Sequence, residues 1–306
     1  MQTTIKSQAV FTDVGLHSGQ PVRMVVRPAS AEYGIWFRRT DVVGVDPLIP
    51  ARWDAVTPSK LCTLLVNDAG VSVSTVEHVM AALAGCGIHN ALIEIDGPEV
   101  PILDGSSAQF VSAFIARGLQ QLDAPNRALE ILKPVEFREG DAWARLTPAE
   151  TLEIDFHIDF ADQAIGVQDK QLNMANGAFV RELCDSRTFC RQSDVDAMRA
   201  NGLALGGTLS NAVVVEGEKI LSPGGLRHDD EAVRHKMLDA LGDLALAGAP
   251  ILGRYTGHRA GHAITNKLLR ALFSQPDAYR MVTCDEQMAL KLPGVGVKPA
   301  DLRAVA

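Results

Sequence analysis

His235, Asp239 and Asp243 recur at four-residue intervals in the stretch VRHKMLDALGD. At about 100° per residue they make one polar stripe on a helix that is otherwise apolar at Met237, Leu238, Ala240, Leu241 and Leu244. A helix this apolar belongs inside a domain, where a carboxylate without a partner is strongly destabilising. The stripe therefore calls for counter-charges. His235 and Asp239, at i and i+4, can reach one point above the helix face, the geometry in which one helix supplies two ligands to a divalent metal. The bland alternative is a solvated face or an internal hydrogen-bonded pair.

A second helix-like run points toward the metal. VEHVMAALAG (76–85) laid over VRHKMLDALG (233–242) matches at Val, His, Met and the final Gly, so His78 occupies the position equivalent to His235. A duplicated half-chain explains the match, although two unrelated core helices can also share four residues in ten. Packed face to face, the helices would offer two imidazoles and one carboxylate, leaving a position open as in catalytic rather than structural zinc sites. Glu77 precedes His78 and has two readings. As part of S-T-V-E it would cap the Ser74 backbone; beside a metal it would act as general base toward a water whose pKa the ion lowers to about 7.

TGHRAGHAITNK adds His258 and His262, flanked by glycines. Asp243 still needs a partner, and a carboxylate bonded to an imidazole raises its pKa and suits it to general-acid work. An Asp243–His262 pair is a concrete expectation, but the residues alone do not separate His262 from His258. Lys236 is expected to extend toward solvent, with an ammonium over the metal as the alternative. The glycine loops LGGTLSN and SPGG lack a phosphate-binding fingerprint, and the serines of DGSSAQF lack a nucleophile elbow.

The elements that must position these groups are legible in outline. VRMVVRP, YGIWFRR, NALIEIDG, LEIDFHIDF and NAVVVEG have strand patterning, whereas STVEHVMAALAGCG, SAQFVSAFIARG and EAVRHKMLDALGDLALAG have helical periodicity. Their irregular alternation favours an α+β layered architecture. With 306 residues, 47% hydrophobic and 22% charged, the chain has room for two compact domains, and LQQLDAPNRALEILKP is the candidate linker. The cut falls at 124/125, giving units 1–124, with Glu77 and His78, and 125–306, with His235, Asp239 and His262. A net charge of -8 without a basic run argues against a nucleic-acid partner. No apolar leader and no long apolar window is present, so a cytoplasmic location is expected. The five cysteines form no C-x-x-C pair, and Cys62 reads as a small packed residue.

Taken together, the segments DVGLHSG, LCTLLVN, STVEHVMAALAGCGIHNALIEIDGPEVPILDGSSAQF, IDFADQAI, SRTF, LALGGTLSNAVVV, GLRHDDEAVRHKMLDALGDL and AGHAITNKLL resemble the UDP-3-O-acyl-N-acetylglucosamine deacetylase family of lipid A biosynthesis in Gram-negative bacteria. The resemblance implies two duplicated β-α-α-β layered sandwiches with the active site between them. It implies one Zn²⁺ per chain on His78, His235 and Asp239, with Glu77 as general base and His262, oriented by Asp243, as the cationic acid or stabiliser. Thr188 would hydrogen-bond the developing oxyanion, and Phe189 would shape the glucosamine pocket. Asp159 and Phe160 resemble a uridine-contacting pair, and Lys236 and Arg259 would supply charge near the sugar and diphosphate. Val195, Leu203, Gly207, Thr208 and Ala212 would line the passage for the acyl chain.

The substrate implied is a UDP-3-O-(3-hydroxyacyl)-N-acetylglucosamine, handled by a monomer. The chain departs from the pattern after R-T-F, where many members have Gly then Phe and this sequence has Cys190 and Arg191. Two rival readings are a zinc amidase for another N-acyl sugar nucleotide and a catalytically silent sugar-nucleotide-binding paralogue.

Overall fold

A computed structural model describes residues 1–59 and 61–302. Its helices, among the described residues, are α1 (Glu77–Gly85), α2 (Ala108–Arg117), α3 (Ala178–Glu182), α4 (Gln192–Ala200), α5 (Glu231–Ala245), α6 (His262–Phe273) and α7 (Glu286–Ala289). They pack against mixed sheets, so the α+β expectation is met. None of these helices is long and apolar enough to cross a membrane.

Two larger sheets carry the architecture. One has five strands in the order Ala9–Val14, Pro21–Pro28, Ala91–Ile95, Ile35–Arg39 and Leu48–Pro50. The other has seven strands and is organised on Ile251–His258, which pairs with Ala142–Thr147, Arg127–Ile131 and Leu152–Asp159. Leu152–Asp159 shows how the pattern becomes structure: Leu152, Ile154, Phe156 and Ile158 turn inward, and the charged or polar alternates turn out. The candidate linker is corrected. Leu119–Gln121 pairs with Thr3–Ile5, and Arg127–Ile131 lies between Ile251–His258 and Tyr279–Thr283, leaving only residues 122–126 as a connection. Its prolines and polar residues flank the short strands rather than interrupting them.

α5 packs against α1, α6 and Leu152–Asp159, which explains why most of its residues are buried, the polar stripe included. Its approach to α1 is set by one glycine. A Cβ on Gly242 would lie 2.1 Å from the carbonyl oxygen of Glu77, so no side chain fits where the helices meet. Gly85, which aligns with Gly242 when the two helix sequences are laid over each other, is also a close-packing position, since a Cβ there would lie 2.0 Å from the Phe179 ring.

Candidate active site

α1 and α5 bring His78, His235 and Asp239 together, all buried, with one potential ligand atom from each within 4.8 Å of the others. Asp239 Oδ1 lies 3.3 Å from His235 Nε2 and 3.7 Å from His78 Nε2. That oxygen is buried and has no hydrogen-bond partner among the described residues. A buried orphan carboxylate oxygen facing two imidazole nitrogens fits a cation between them. His235 is oriented for that purpose: its Nδ1–H donates to the Ser186 carbonyl at 3.0 Å, leaving Nε2 with its lone pair toward Asp239. Burial pushes the His78 pKa down to about 3 and also lowers that of His235, so both rings are neutral and free to ligate. The three residues can hold a divalent metal.

Glu77 opens α1, and its carboxylate does not cap the helix. The N-cap position is Val76, with no side-chain bond, so the capping-box alternative fails. Glu77 Oε2 instead accepts the Thr63 backbone N–H at 3.0 Å. Burial is the main cause that lifts its pKa to about 7, and the Asp239 and Asp243 carboxylates add to the rise, against the opposing pull of His262. A carboxyl tuned near neutrality can both accept and return a proton.

The choice between the two histidines is clear in the geometry. His262 Nδ1 lies 2.8 Å from Asp243 Oδ2, while His258 stacks on His157 at 4.5 Å between ring centroids, on the face of the seven-stranded sheet. Asp243 Oδ1 accepts the Thr63 hydroxyl at 2.6 Å. His262 Nε2 is 3.6 Å from Glu77 Oε1 and 3.9 Å from Asp239 Oδ2, beside the His78–His235–Asp239 cluster. Burial works against its charge, but the surrounding carboxylates of Asp243, Glu77 and Asp239 outweigh it and raise the pKa to about 9. His262 is therefore an imidazolium at neutral pH.

Lys236 does not extend to solvent. Its ammonium donates to Asp239 Oδ2 at 3.0 Å, and the nearby carboxylates hold its pKa up although burial opposes them. A cavity of about 880 Å³ opens from this cluster and is lined by Phe160, Thr188, Phe189, Val195, Gly207, Thr208, Ala212, Lys236 and Arg259. Cys190 and Arg191 also line it, and Arg191 Nε is tied to Asp162 at 2.5 Å. Leu203 and Asp159 are exposed neighbours of lining residues and are not in the wall themselves. Phe189 stands edge-on to His235 at 6.2 Å and to Phe160 at 5.3 Å, linking the His78–His235–Asp239 cluster to the cavity wall.

The loop bearing Thr188 is held from both sides. The Thr188 N–H donates to the Gly105 carbonyl at 2.8 Å, and its own carbonyl accepts from Val213 at 2.8 Å. Arg187 makes a buried two-pronged pair with Glu231 of α5, at 2.9 and 3.1 Å. Cys62 is buried, which pushes its thiol pKa up to about 11 and leaves it unreactive.

The sequence reading missed Thr63, which touches both Glu77 and Asp243, and His17, whose two ring nitrogens are buried in the cavity wall without hydrogen-bond partners among the described residues. Neither lies on a periodic helix face. The only signal for Thr63 was its place in LCTLLVN.

The family model described as LpxC, UDP-3-O-acyl N-acetylglycosamine deacetylase, matches residues 2–274. The chain belongs to this family. A UDP-3-O-acyl-N-acetylglucosamine deacetylase of Phenylobacterium zucineum is 51% identical over 288 residues, covering 94% of this chain and 98% of that one. Deacetylases of the same name from Shewanella frigidimarina and Shewanella oneidensis are 44% and 43% identical, over 94% and 96% of this chain and 94% and 97% of theirs. The deacetylase family match spans α1, α5 and α6, and so takes in every residue of the buried cluster.

Proposed function

We propose that this protein removes the acetyl group from the 2-amino position of a UDP-3-O-(3-hydroxyacyl)-N-acetylglucosamine, giving acetate and the free amine, in lipid A biosynthesis. The observation that carries the reading is the adjacency of two groups. An unpartnered Asp239 oxygen faces His78 and His235, and the Glu77–His262–Asp243 array lies beside it, with His262 Nε2 3.9 Å from the other Asp239 oxygen.

One Zn²⁺, held by His78, His235 and Asp239, would supply Lewis acidity toward the amide carbonyl and lower the pKa of the attacking water. Glu77 takes a proton from that water as its oxygen adds to the carbonyl carbon. The His262 imidazolium and the Thr188 hydroxyl stabilise the negative charge that develops on the carbonyl oxygen. Asp243 orients the His262 ring and favours its charged form as the oxyanion develops, while Thr63 holds Asp243 and Glu77 in register. When the C–N bond breaks, the leaving amine collects a proton from the Glu77–His262 pair.

Lys236 and Arg259 place positive charge beside the sugar and diphosphate, Phe160 with Asp159 serves the uridine end, and Phe189 shapes the glucosamine pocket. Val195, Gly207, Thr208 and Ala212, with Leu203 at the rim, guide the acyl chain. The two halves, 1–124 and 125–306, are read as duplicated units that build the site together, in a monomeric cytoplasmic enzyme.

Acetate release measured with the acylated substrate and with unacylated UDP-N-acetylglucosamine, alongside metal content, tests the reading. Turnover confined to the acylated substrate with one zinc per chain is expected. Equal turnover of both would favour an amidase for another N-acyl sugar nucleotide, and no turnover by zinc-loaded protein would favour a silent paralogue.

A further inference from the structure

α1 and α5 frame a second cavity at their far ends. α1 carries His78 in its first turn, and α5 carries His235 and Asp239 in its second and third turns; nine residues along α5 from His235, about 13 Å at 1.5 Å per residue, Leu244 lines a separate space of about 400 Å³. It shares no lining residue with the larger cavity. Met80 comes from α1, Leu241 from α5, Trp36 from the Ile35–Arg39 strand of the five-stranded sheet and Tyr33 from the turn before it, and Arg127 and Met281 from the seven-stranded sheet. The seam between the sheets closes around it through backbone. Trp53 N–H donates to the Leu246 carbonyl at 2.8 Å, and a Cβ on Gly294 would lie 2.1 Å from the Gly87 nitrogen. The space is thus built by both sheets rather than dented into one.

Its chemistry is specific. The Tyr33 and Trp36 rings, 6.5 Å apart, and the thioethers of Met80 and Met281 are surfaces that favour an aromatic ring. Arg127 has no carboxylate, hydrogen-bond or ring partner for its guanidinium among the described residues. Of the other charged lining groups, Arg52 is already paired with Asp54, while Glu32, exposed as Arg127 is, keeps a carboxylate with no partner among the described residues. One free guanidinium beside an apolar, aromatic-walled space matches a compact monoanion with a flat apolar body.

We propose that this cavity is a second binding site, taking a small aromatic monocarboxylate with its carboxylate on Arg127 and its ring against Trp36 and Met80. A bound ligand spans the seam and holds the two sheets together at the end of the α1–α5 pair remote from the metal cluster.

The test titrates the metal-loaded protein with 2-naphthoate and with its uncharged counterpart 2-naphthalenemethanol, following heat and tryptophan fluorescence. Saturable 1:1 binding of the naphthoate is expected, with a dissociation constant on the order of 1 mM or tighter for a ligand of this size, together with a raised Tm. Arg127→Gln should weaken naphthoate binding at least about tenfold while leaving the alcohol unchanged. Ala245→Phe and Ala84→Phe, which fill the space from α5 and from its α1 side independently, should each abolish binding of both ligands. No saturable binding, or naphthoate binding that Arg127→Gln and both filling variants leave intact, would overturn the proposal.

Discussion

Asp243 and His262 lie 19 positions apart and meet at 2.8 Å, with the second oxygen of Asp243 held by the Thr63 hydroxyl at 2.6 Å. The aspartate is thereby fixed by a strand-side loop and in turn fixes an imidazolium that faces Glu77. Charge on His262 is thus a product of its neighbours, because burial alone would remove it.

That relationship predicts a pH effect. Activity should rise as Glu77 ionises and fall as His262, raised to about 9, loses its proton. Asp243→Asn removes the largest single support for the imidazolium, so the falling limb should move to lower pH while the rising limb changes less. A pH–rate profile in which that limb stays fixed would remove Asp243 from this role.

Metal content separates the ligands from the acid. His262→Ala should lower kcat by at least about 10² and retain stoichiometric zinc after dialysis. Asp239→Ala should lose the metal, since its Oδ1 is the oxygen both imidazoles face. Zinc loss from the His262 variant, read by atomic absorption, would place that residue among the ligands instead.

Gly242→Ala should couple stability to catalysis. The added methyl meets the Glu77 carbonyl at 2.1 Å, so α1 and α5 must separate, at a cost of about 2 kcal/mol for an overpacked contact. Because Glu77 and His78 sit at the point of contact, activity should fall in the folded variant as well. A variant with the wild-type denaturation midpoint would show that the helices accommodate the methyl.

Arg187→Met leaves Glu231 buried without its counter-charge and should cost about 3 kcal/mol or more in chemical denaturation. Adding Glu231→Leu should recover only part. Glu231 also accepts the backbone N–H groups of Arg187 and Arg227, at 2.9 and 2.7 Å, and those donors would stay unmet.

The amino-acid sequence by itself determined the helices of the site and the residues they present. The i, i+4 spacing of His235, Asp239 and Asp243 and the alternation in LEIDFHIDF are local patterns, and local periodicity is written directly into the chain. The same locality explains the failures. A capping box and an extended lysine are the local defaults for Glu77 and Lys236, and a proline-containing polar stretch is the local signature of a linker.

Tertiary structure alone decided the rest. Glu77 takes its hydrogen bond from Thr63 rather than from its own helix, Lys236 turns inward to Asp239, and two short strands of the supposed linker are captured by distant partners. Each outcome depends on groups brought together from far along the chain. Burial then makes their electrostatics strong enough to override the local preference.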